Sequence, residues 1–296
     1  MPAKVILNPY AARWSARERK DEAAAALRQA GVEFDLVVTE RPRQAIELAE
    51  QAVREGFSPI ISAGGDGSNG EVLNGMLRAR PDGVLGPFGV LPLGTANDLV
   101  VNLGLPKDLP QAARVIAAGK TRRIDLGRVN EWVFGNNSAV GLEPVVTQYN
   151  IRMVRLRGIL RYLIAALRAI NQKPAWSMEL SWDDGHYHGP ISLVSVGNCP
   201  LTGGVFRMAP AADPADGRLT FVYGYVPTRL RMLALLPKTM TGEFVKNPAI
   251  HQQHTRRLII RSATPSPLQV DGELRAEAAT EFMYECLPGR LDILTA

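Results

Sequence analysis

The residues best suited to chemistry form one short run, Gly64-Gly65-Asp66-Gly67-Ser68, between an apolar stretch and a helix-like one. Glycine at such a turn lets backbone N–H groups approach a phosphate closely, and the start of a helix favours negative charge. Asp66 could bind Mg²⁺ directly or through water, and the Ser68 hydroxyl could donate to a phosphate oxygen. The alternative is a tight turn in which glycine serves geometry alone, but the carboxylate and the hydroxyl together favour a nucleotide site.

A second polar run, Pro92-Leu93-Gly94-Thr95-Ala96-Asn97-Asp98-Leu99, also follows a strand-like stretch. Thr95, Asn97 and Asp98 would place polar groups at the end of a strand, which is where a parallel sheet binds its ligand. Each of the three could instead cap a helix that follows. This run by itself does not decide between the two interpretations.

Two acidic turns occur later in the chain. Asp271-Gly272 predicts a turn that would project the carboxylate of Glu273, and Asp213-Pro214-Ala215-Asp216-Gly217-Arg218 precedes another strand-like stretch. From local sequence alone, Glu273 is typical of an exposed turn acid. The second run is typical of an Asx turn, in which an aspartate side chain bonds its own backbone.

Strand and helix patterns alternate through the first third of the chain. Strands are predicted at residues 4–8, 34–39, 59–63 and 88–91, and helices at 15–30, 43–55 and from the glycine-rich run to about residue 78. This alternation indicates βαβ units and a parallel sheet, with ligands at the carboxyl ends of the strands. Both polar runs follow strands of that sheet.

After about residue 120 the pattern changes to short strand-like segments separated by Asp-Gly turns, with helices predicted at 153–170 and 228–241. Such a pattern is typical of an antiparallel sandwich. We therefore predict an α/β N-terminal domain with a parallel sheet at residues 1–122 and a β-rich C-terminal sandwich domain at residues 123–296. The last residues could pack back on the first domain.

Composition narrows the class of protein. The chain has 296 residues, of which 46% are apolar and 21% charged, so disorder is not expected. The net charge of +5 suits an anionic partner such as a nucleotide or an acidic membrane surface, while the lack of a dense Lys/Arg cluster argues against nucleic acid. Cys199 and Cys286 have no disulfide-framework or metal spacing. With no leader-like start and no apolar run long enough to span a membrane, we expect a cytoplasmic protein.

The predicted helix at 153–170 and the residues just before it are rich in arginine. Arg152, Arg155, Arg157, Arg161 and Arg168 alternate with Ile, Leu, Met and Tyr. A basic amphipathic helix could lie on an anionic membrane. From the sequence we favour a helix that covers the β-rich domain and leaves its arginines in solvent.

Taken in order, the motifs resemble a known family. Gly-Gly-Asp-Gly-Ser followed about 30 residues later by Gly-Thr-Ala-Asn-Asp resembles the catalytic-domain signature of the diacylglycerol kinase and sphingosine kinase family, in particular its small bacterial members. Asn8-Pro9 and Asp271-Gly272-Glu273 fit the same pattern, so the likeness covers nearly the whole chain. The first motif is shared with NAD kinases and phosphofructokinases, whereas Gly-Thr-x-Asn-Asp discriminates. An NAD kinase-like fold is implied.

The resemblance implies a lipid kinase that transfers the γ-phosphate of ATP to a hydroxyl of a lipid such as diacylglycerol, with Mg²⁺. It implies an ATP site composed of Asn8, Thr39, Gly64, Gly65, Asp66, Gly67, Ser68, Asn69, Gly70, Glu71 and Thr95. From the residues alone, Thr39 could instead cap the helix that follows it.

For catalysis, the resemblance implies that Asp66 and Asp98 organise Mg²⁺ around the phosphates and that Glu273 accepts the proton of the lipid hydroxyl. Phosphoryl transfer is mostly positioning and charge neutralisation, which suits carboxylates beside glycine-rich backbone. A structural Mg²⁺ is implied at Asp213, Asp216 and Arg218.

The chain departs from the family pattern in its first loop, because residues 10–15 contain no glycine, and Ser68 stands where threonine is usual. Two other functions stay open: a soluble-metabolite kinase of the same superfamily, such as an NAD kinase, and a lipid- or nucleotide-binding regulator without turnover. The expected partners are ATP, a lipid alcohol and a membrane surface, with no nucleic acid. The identity of the lipid and a homodimer stay open.

Overall fold

The structure, a computed structural model, describes residues 2–11, 18–153, 158–172 and 175–296. Part of the predicted helix at 15–30 lies outside these residues, as do Arg155, Arg157 and most of the first loop. The chain divides into two compact units. One is formed by Met1–Leu126 with Leu287–Ala296, and the other by Gly127–Cys286.

The first unit contains a parallel sheet. Its strands are β1 (Ala3–Leu7), β2 (Phe34–Val38), β3 (Ile60–Gly64), β4 (Leu85–Pro92) and the C-terminal end of β14 (Glu273–Leu294). They are ordered β14-β4-β3-β1-β2, and every neighbouring pair is parallel. The predicted parallel sheet is confirmed, and the carboxyl ends of β1, β3 and β4 lie along one edge of it.

Helices alternate with these strands: α1 (Lys20–Gln29), α2 (Gln44–Arg54), α3 (Asp66–Ala79), α4 (Asp98–Asn102) and α5 (Leu109–Ala118). In α2, Ala45, Ile46, Ala49 and Ala52 recur at helical spacing and are all buried. This one-sided apolar pattern is the reason the segment is helical and packs on the sheet. The core between the two layers includes Val5, Leu7, Leu27, Ile61, Leu91 and Ile116.

The second unit is built from antiparallel strands. They are β6 (Trp132–Phe134), β7 (Asn137–Gly141), β8 (Trp176–Trp182), β9 (Gly185–Ile191), β10 (Leu193–Gly197), β11 (Leu219–Gly224), β12 (Ile250–Thr255), β13 (Arg257–Val270), and the ends of β5 (Thr121–Val129) and β14 that fall in this unit. The main path is β12-β11-β10-β7-β13-β14, and β8 pairs with both β13 and β9. The predicted β-rich second half is confirmed.

Large side chains fill the core of the second unit. Phe134, Phe221, Phe282 and Tyr284 are all buried there. Trp182 meets the Phe221 ring edge-on, with 5.3 Å between the ring centroids. β9 alternates between partly buried and exposed positions, as in a half-buried strand, whereas β7 and β11 are buried along their whole length.

Helices α6 (Leu142–Arg152), α7 (Gly158–Asn171) and α8 (Arg229–Thr239) cover part of this unit. The predicted helix at 153–170 is confirmed by α7 from Gly158 onward, whereas residues 154–157 lie outside the described residues. The preceding helix, α6, was missed. Pro144 and the β-branched run Val145-Val146-Thr147 have low helix propensity. Packing of Val145 and Val146 against α7 overrides that propensity. None of the helices in the described parts of the chain is long and apolar enough to cross a bilayer.

Candidate nucleotide and lipid sites

Two glycine turns meet at the carboxyl edge of the first unit's sheet. β3 ends at Gly64, and Leu93, just beyond β4, donates its N–H to the Gly64 carbonyl at 2.9 Å. The backbones of Gly65 and Gly94 approach each other closely. A Cβ on Gly94 would lie 2.5 Å from the Gly65 Cα, and one on Gly65 would lie 3.1 Å from the Gly94 Cα. Glycine is therefore required here by contact between two backbones.

Asp66 links the two motifs. Its Oδ1 accepts a hydrogen bond from the Leu99 backbone N–H at 3.1 Å, so it caps the short helix α4 from across the site. Burial raises the pKa of Asp66, while the backbone N–H groups of Asn97, Asp98 and Leu99 act in the opposite direction by stabilising the carboxylate. The backbone N–H groups therefore offset part of the cost of burying this carboxyl group.

Asn97 closes the second glycine turn. Its Oδ1 accepts from the Gly94 N–H at 3.0 Å, and its Nδ2 donates to the Gly94 carbonyl at 3.0 Å. It adopts a left-handed backbone, with φ 53°, and its side chain makes no cap on α4. The capping alternative is thus wrong for Asn97. Asp98 is buried as the first residue of α4, whereas Thr95 is exposed at the tip of the turn.

Asn8 joins the end of β1 to the first turn of α3. Its Nδ2 donates to the Ser68 Oγ at 2.9 Å, and its Oδ1 accepts from the Tyr10 N–H at 2.9 Å. Ser68 and Asn69 are buried in the first turn of α3, and the Asn69 Oδ1 has no hydrogen-bond partner among the described residues. The structure thus brings together at one edge Asn8, Gly64, Gly65, Asp66, Gly67, Ser68, Asn69, Gly70, Glu71, Thr95 and Asp98.

Thr39 follows the end of β2, next to β1. It is buried, and its N–H donates to the Leu7 carbonyl at 2.8 Å. It does not cap α2, whose N-cap residue is Arg43 with no side-chain cap. Thr39 instead lines a groove together with Leu7, Pro9, Tyr10, Lys20, Val38 and Glu40. A groove at the carboxyl ends of two parallel strands is where such sheets bind nucleotides.

Glu273 lies in the second unit, directly after a tight hairpin turn. Asp271 and Gly272 have φ values of 47° and 79°, which define a two-residue type I′ turn between β13 and β14. The predicted turn is confirmed, and Glu273 is exposed beside it. The Asp271 carboxylate is buried and holds the turn, because it accepts N–H bonds of 3.0–3.1 Å from the backbone of residues 135–137. Sequence reasoning assigned no such anchoring role to Asp271.

The turn that contains Asp213 and Asp216 is exposed on the second unit. Asp213 Oδ1 accepts from the Ala215 N–H at 3.0 Å, and Asp216 Oδ1 accepts from the Arg218 N–H at 2.9 Å. Both are Asx turns. Within the described ranges, no three His, Cys, Asp or Glu side chains cluster as a metal site. An ion here would have to rely on one or two carboxylates, backbone carbonyls and water, a ligand set that Mg²⁺ accepts.

An apolar pocket lies inside the second unit, beneath α6, α7 and α8. Its walls include Tyr162, Ile170, Phe206, Met232, Leu235 and Phe244. Glu143, in the first turn of α6, also lines it and is 8% exposed. The Glu143 Oε1 has no hydrogen-bond partner among the described residues. Burial raises the pKa of Glu143 to about 7, with the nearby Ser195 hydroxyl acting against the shift.

Sequence reasoning missed Glu143. One signal was present, since no carboxylate occurs from residue 144 to residue 178 and an isolated acid in such a stretch is unusual. A carboxyl group with a pKa near neutrality is protonated for much of the time. It can then donate a hydrogen bond inside an otherwise apolar cavity.

A parallel sheet with paired glycine turns at its carboxyl edge, continued in the same chain by an antiparallel β-rich unit, is the architecture expected of the NAD kinase-like class. Residues 2–129 match the diacylglycerol kinase catalytic domain, and residues 137–295 match the YegS C-terminal NAD kinase beta sandwich-like domain. The chain belongs to the diacylglycerol kinase family that these two domains define. The predicted family and the predicted sandwich are confirmed.

Relatives of known name agree with this membership, and solved structures share the fold. Proteins named diacylglycerol kinase from Staphylococcus saprophyticus and Staphylococcus haemolyticus are 27% and 28% identical over 284 residues, covering 95% of this chain and 92% and 84% of theirs. Structures of a diacylglycerol kinase and of a protein provisionally assigned as one, both from Bacillus anthracis str. Sterne, superpose with TM-scores of 0.76 and 0.81. They are 18% and 21% identical, and the match covers 100% of this chain and 97% of each. Family membership supports a kinase.

Proposed function

We propose that this protein is an ATP- and Mg²⁺-dependent lipid kinase, which transfers the γ-phosphoryl group of ATP to a hydroxyl of a lipid such as diacylglycerol. One observation carries the proposal: Asp66 bridges the two glycine turns by its bond to the Leu99 N–H, in a chain of the diacylglycerol kinase family. That bridge joins the phosphate-type turn to the motif that discriminates this family from its superfamily.

The nucleotide side is assigned to the first unit. Backbone N–H groups at the start of α3, with Asn8, Ser68 and Thr95, bind the phosphates, and the groove beside Thr39 receives the rest of ATP. The oxygens of Asp66 and Asp98 are the hard ligands that Mg²⁺ prefers, so these residues would hold the ion. The ion would supply neutralisation of the phosphate charge.

Glu273 is assigned the role of general base. As the lipid oxygen bonds to the γ-phosphorus and the bond to ADP breaks, the hydroxyl proton passes to the Glu273 carboxylate. The buried Asp271 anchor gives that carboxylate a defined position at the end of a rigid hairpin. The turn at Asp213, Asp216 and Arg218 is assigned a structural Mg²⁺, for which its exposed oxygens are suitable.

The acceptor side is assigned to the second unit. The apolar pocket beneath α6–α8 suits an acyl chain, and Glu143 in its protonated form suits a neutral oxygen of the same molecule, such as an ester carbonyl. These features favour an amphiphilic alcohol over a dinucleotide, whose charged and polar surface would be left unsatisfied by such walls. We place the protein in the cytoplasm, at the inner face of the membrane during turnover.

The test is phosphate transfer from Mg-ATP to a panel of lipids in mixed micelles, with NAD as a soluble comparison. Glu273→Gln should lower kcat by about 10²–10⁴-fold, the range expected for a general base. Glu281→Gln is the matched control, because Glu281 is also exposed on β14 and pairs with the surface residue Arg261. It should keep wild-type kcat.

Transfer to one lipid class that is lost in Glu273→Gln alone would support the proposal and name the substrate. Phosphorylation of NAD instead would indicate a soluble-metabolite kinase. ATP binding without transfer to any acceptor would indicate a regulator. A Glu273→Gln variant with near-wild-type kcat would overturn the assignment of the base.

A further inference from the structure

The turn between β13 and β14 is held by bonds to both of its central N–H groups. In a two-residue hairpin loop, the residues that flank the turn make the cross-strand bonds, and the two central N–H groups are left to other partners. Here the Asp271 N–H donates to the Asn137 carbonyl at 2.8 Å, and the Gly272 N–H donates to the Gln269 Oε1 at 2.8 Å. Both groups are therefore bonded within the protein, although Gly272 is exposed.

The two acceptors differ in kind. Asn137 offers a backbone carbonyl, which any residue supplies, whereas Gln269 offers a side-chain oxygen that few residue types can replace. Gln269 is 3% exposed, and its backbone pairs with Ala139 of β7 on one side and with Leu274 of β14 on the other. Its carbonyl also accepts from the Ser138 Oγ at 2.7 Å. The side chain of Gln269 thus reaches the turn from a backbone that is fixed on both sides.

The bond from Gln269 fixes the orientation of the central peptide of the turn, which carries the Gly272 N–H. A flip of this peptide converts a type I′ turn into a type II′ turn, in which the second central residue has negative φ. Gly272 has a φ of 79°, and glycine permits either sign. Gln269 therefore favours type I′, and Asp271 adds to that preference because type II′ favours glycine at its first position.

We propose that Gln269 is a positioning residue for the general base. By holding the Gly272 N–H, it fixes the direction in which the chain leaves the turn, and with it the position of the Glu273 carboxylate. The inference rests on the proposed function, in which Glu273 accepts the proton of the lipid hydroxyl. Proton transfer needs a heavy-atom separation of about 2.6–3.2 Å, so a small displacement of the carboxylate lowers the rate of the chemical step.

A purely structural role is the alternative. In that case Gln269 only supplies an acceptor for an N–H group, and its loss affects folding without a specific effect on the base. The two roles differ in three measurements. These are the division of the effect between kcat and KM, its dependence on the presence of Glu273, and the response of the turn itself.

The test begins with Gln269→Met, which keeps the side-chain volume and removes the accepting oxygen. It should lower kcat for phosphoryl transfer by about 10–100-fold and leave the KM values for ATP and lipid within about twofold. Gln269→Glu retains an accepting oxygen in either protonation state and should recover most of the lost kcat. Gln252→Met is the matched control, because it makes the same change on β12, which pairs with β11 and not with the hairpin. It should keep wild-type kcat.

A double-mutant cycle separates positioning from structure. In a Glu273→Gln background, Gln269→Met should cause no further loss of kcat, because both substitutions act through the same carboxylate. A structural role would lower kcat by the same factor in both backgrounds. Hydrogen exchange at the Gly272 amide, measured by NMR without substrates, should be at least about tenfold faster in Gln269→Met and unchanged in Gln252→Met. Thermal unfolding of each variant reports whether it is folded.

Three outcomes would overturn the inference. They are wild-type kcat in Gln269→Met, equal losses of kcat with and without Glu273, and unchanged exchange at Gly272. Failure of the proposed function gives a different result. No transfer by the wild type, or wild-type kcat in Glu273→Gln, would reject the general base together with its positioning residue. Transfer that is lost in Glu273→Gln and kept in Gln269→Met would reject the positioning role alone.

Discussion

The first unit contains a glycine edge, where the turns at Gly64-Gly65 and Gly94 meet, and the second unit contains an apolar pocket. The two sites are built by different means. At the glycine edge, side chains of Asn8, Asp66 and Asn97 each bond to a named partner, and two backbones approach so closely that only glycine fits. In the pocket, aliphatic and aromatic walls surround one carboxyl group, Glu143, that lacks a partner for its Oε1. A polar edge built from specific side-chain hydrogen bonds and close backbone contacts restricts the sequence tightly. An apolar wall can be built from many combinations of residues.

The difference also concerns charge. Backbone N–H groups oppose the effect of burial at Asp66, whereas at Glu143 the opposing group is a single hydroxyl, that of Ser195. The first arrangement suits a group that works as a carboxylate, and the second suits one that works as a neutral acid. Substitutions at these sites can therefore test whether the two carboxyl groups have distinct roles.

The largest effect should come from Asp66→Asn. The new amide oxygen can still accept from the Leu99 N–H, which lies 3.1 Å from Oδ1 in the wild type, but the charge is lost. We expect kcat/KM for phosphoryl transfer to fall about 10³-fold. Thermal unfolding should change little, since burial already disfavours the charged form.

Asp66→Ala provides the control for the cap. It should lose the same activity and, in addition, about 1 kcal/mol of stability, because the first N–H groups of α4 lose their acceptor. Steady-state kinetics and thermal unfolding of both variants measure the two roles separately. Near-wild-type activity in Asp66→Asn would mean that the carboxylate serves only as a cap, and the contrast with Glu143 would disappear.

The next largest effect is a dependence of the free energy of unfolding on pH, caused by the raised pKa of Glu143. Its pKa is about 7 in the folded protein, against an ordinary value of 4.5, so the folded state binds this proton more tightly than the unfolded state. The resulting stability is fully present below about pH 4.5 and is lost as pH rises through about 7. Its size is about 3 kcal/mol.

Glu143→Gln should lack this pH dependence. Urea unfolding of both proteins from pH 4.5 to 8 should show wild-type stability falling relative to the variant by about 3 kcal/mol. Parallel curves would show that the folded carboxyl group titrates as it does in the unfolded chain. In that case the pocket would not hold a neutral acid.

The smallest of the three effects should come from Gly94→Ala. Its new Cβ would lie 2.5 Å from the Gly65 Cα, and backbone cannot move aside as a flexible side chain can. A displacement of the turn by about 1 Å should lower kcat/KM about 10²-fold. Gly83→Ala is the control, because a Cβ there meets nothing within 4 Å and its φ of +77° makes the substitution costly to stability alone.

Much of the first unit was predictable, for a physical reason. Apolar strands that alternate with amphipathic helices such as α2 directly indicate a parallel sheet. Paired glycines indicate positions where two backbone segments must lie in close contact. Asp271-Gly272 likewise predicted a turn. A type I′ turn requires positive φ at both central positions, and few residue types other than Gly, Asn and Asp adopt it. These signals are local in the chain and depend little on what packs around them.

Other features could not be predicted from the sequence. The helix α6 forms although Val145, Val146 and Thr147 favour strands, because α7 provides an apolar surface against which it packs. The cap on α4 comes from Asp66, a residue 33 positions away from Leu99. Neither feature has a signal within a short window, since each depends on a partner brought close only by the fold.

The sequence by itself determined the class of fold, the glycine edge and the family, because each depends on backbone geometry that only a few residue types allow. The tertiary structure decided which carboxyl groups are buried and which leucines are not. Glu143 became a pocket residue, and Leu230 became the most exposed of the large apolar side chains described. The physical reason is that burial is a property of the folded surface, and the same leucine or glutamate in a helix can face a core, a ligand or solvent.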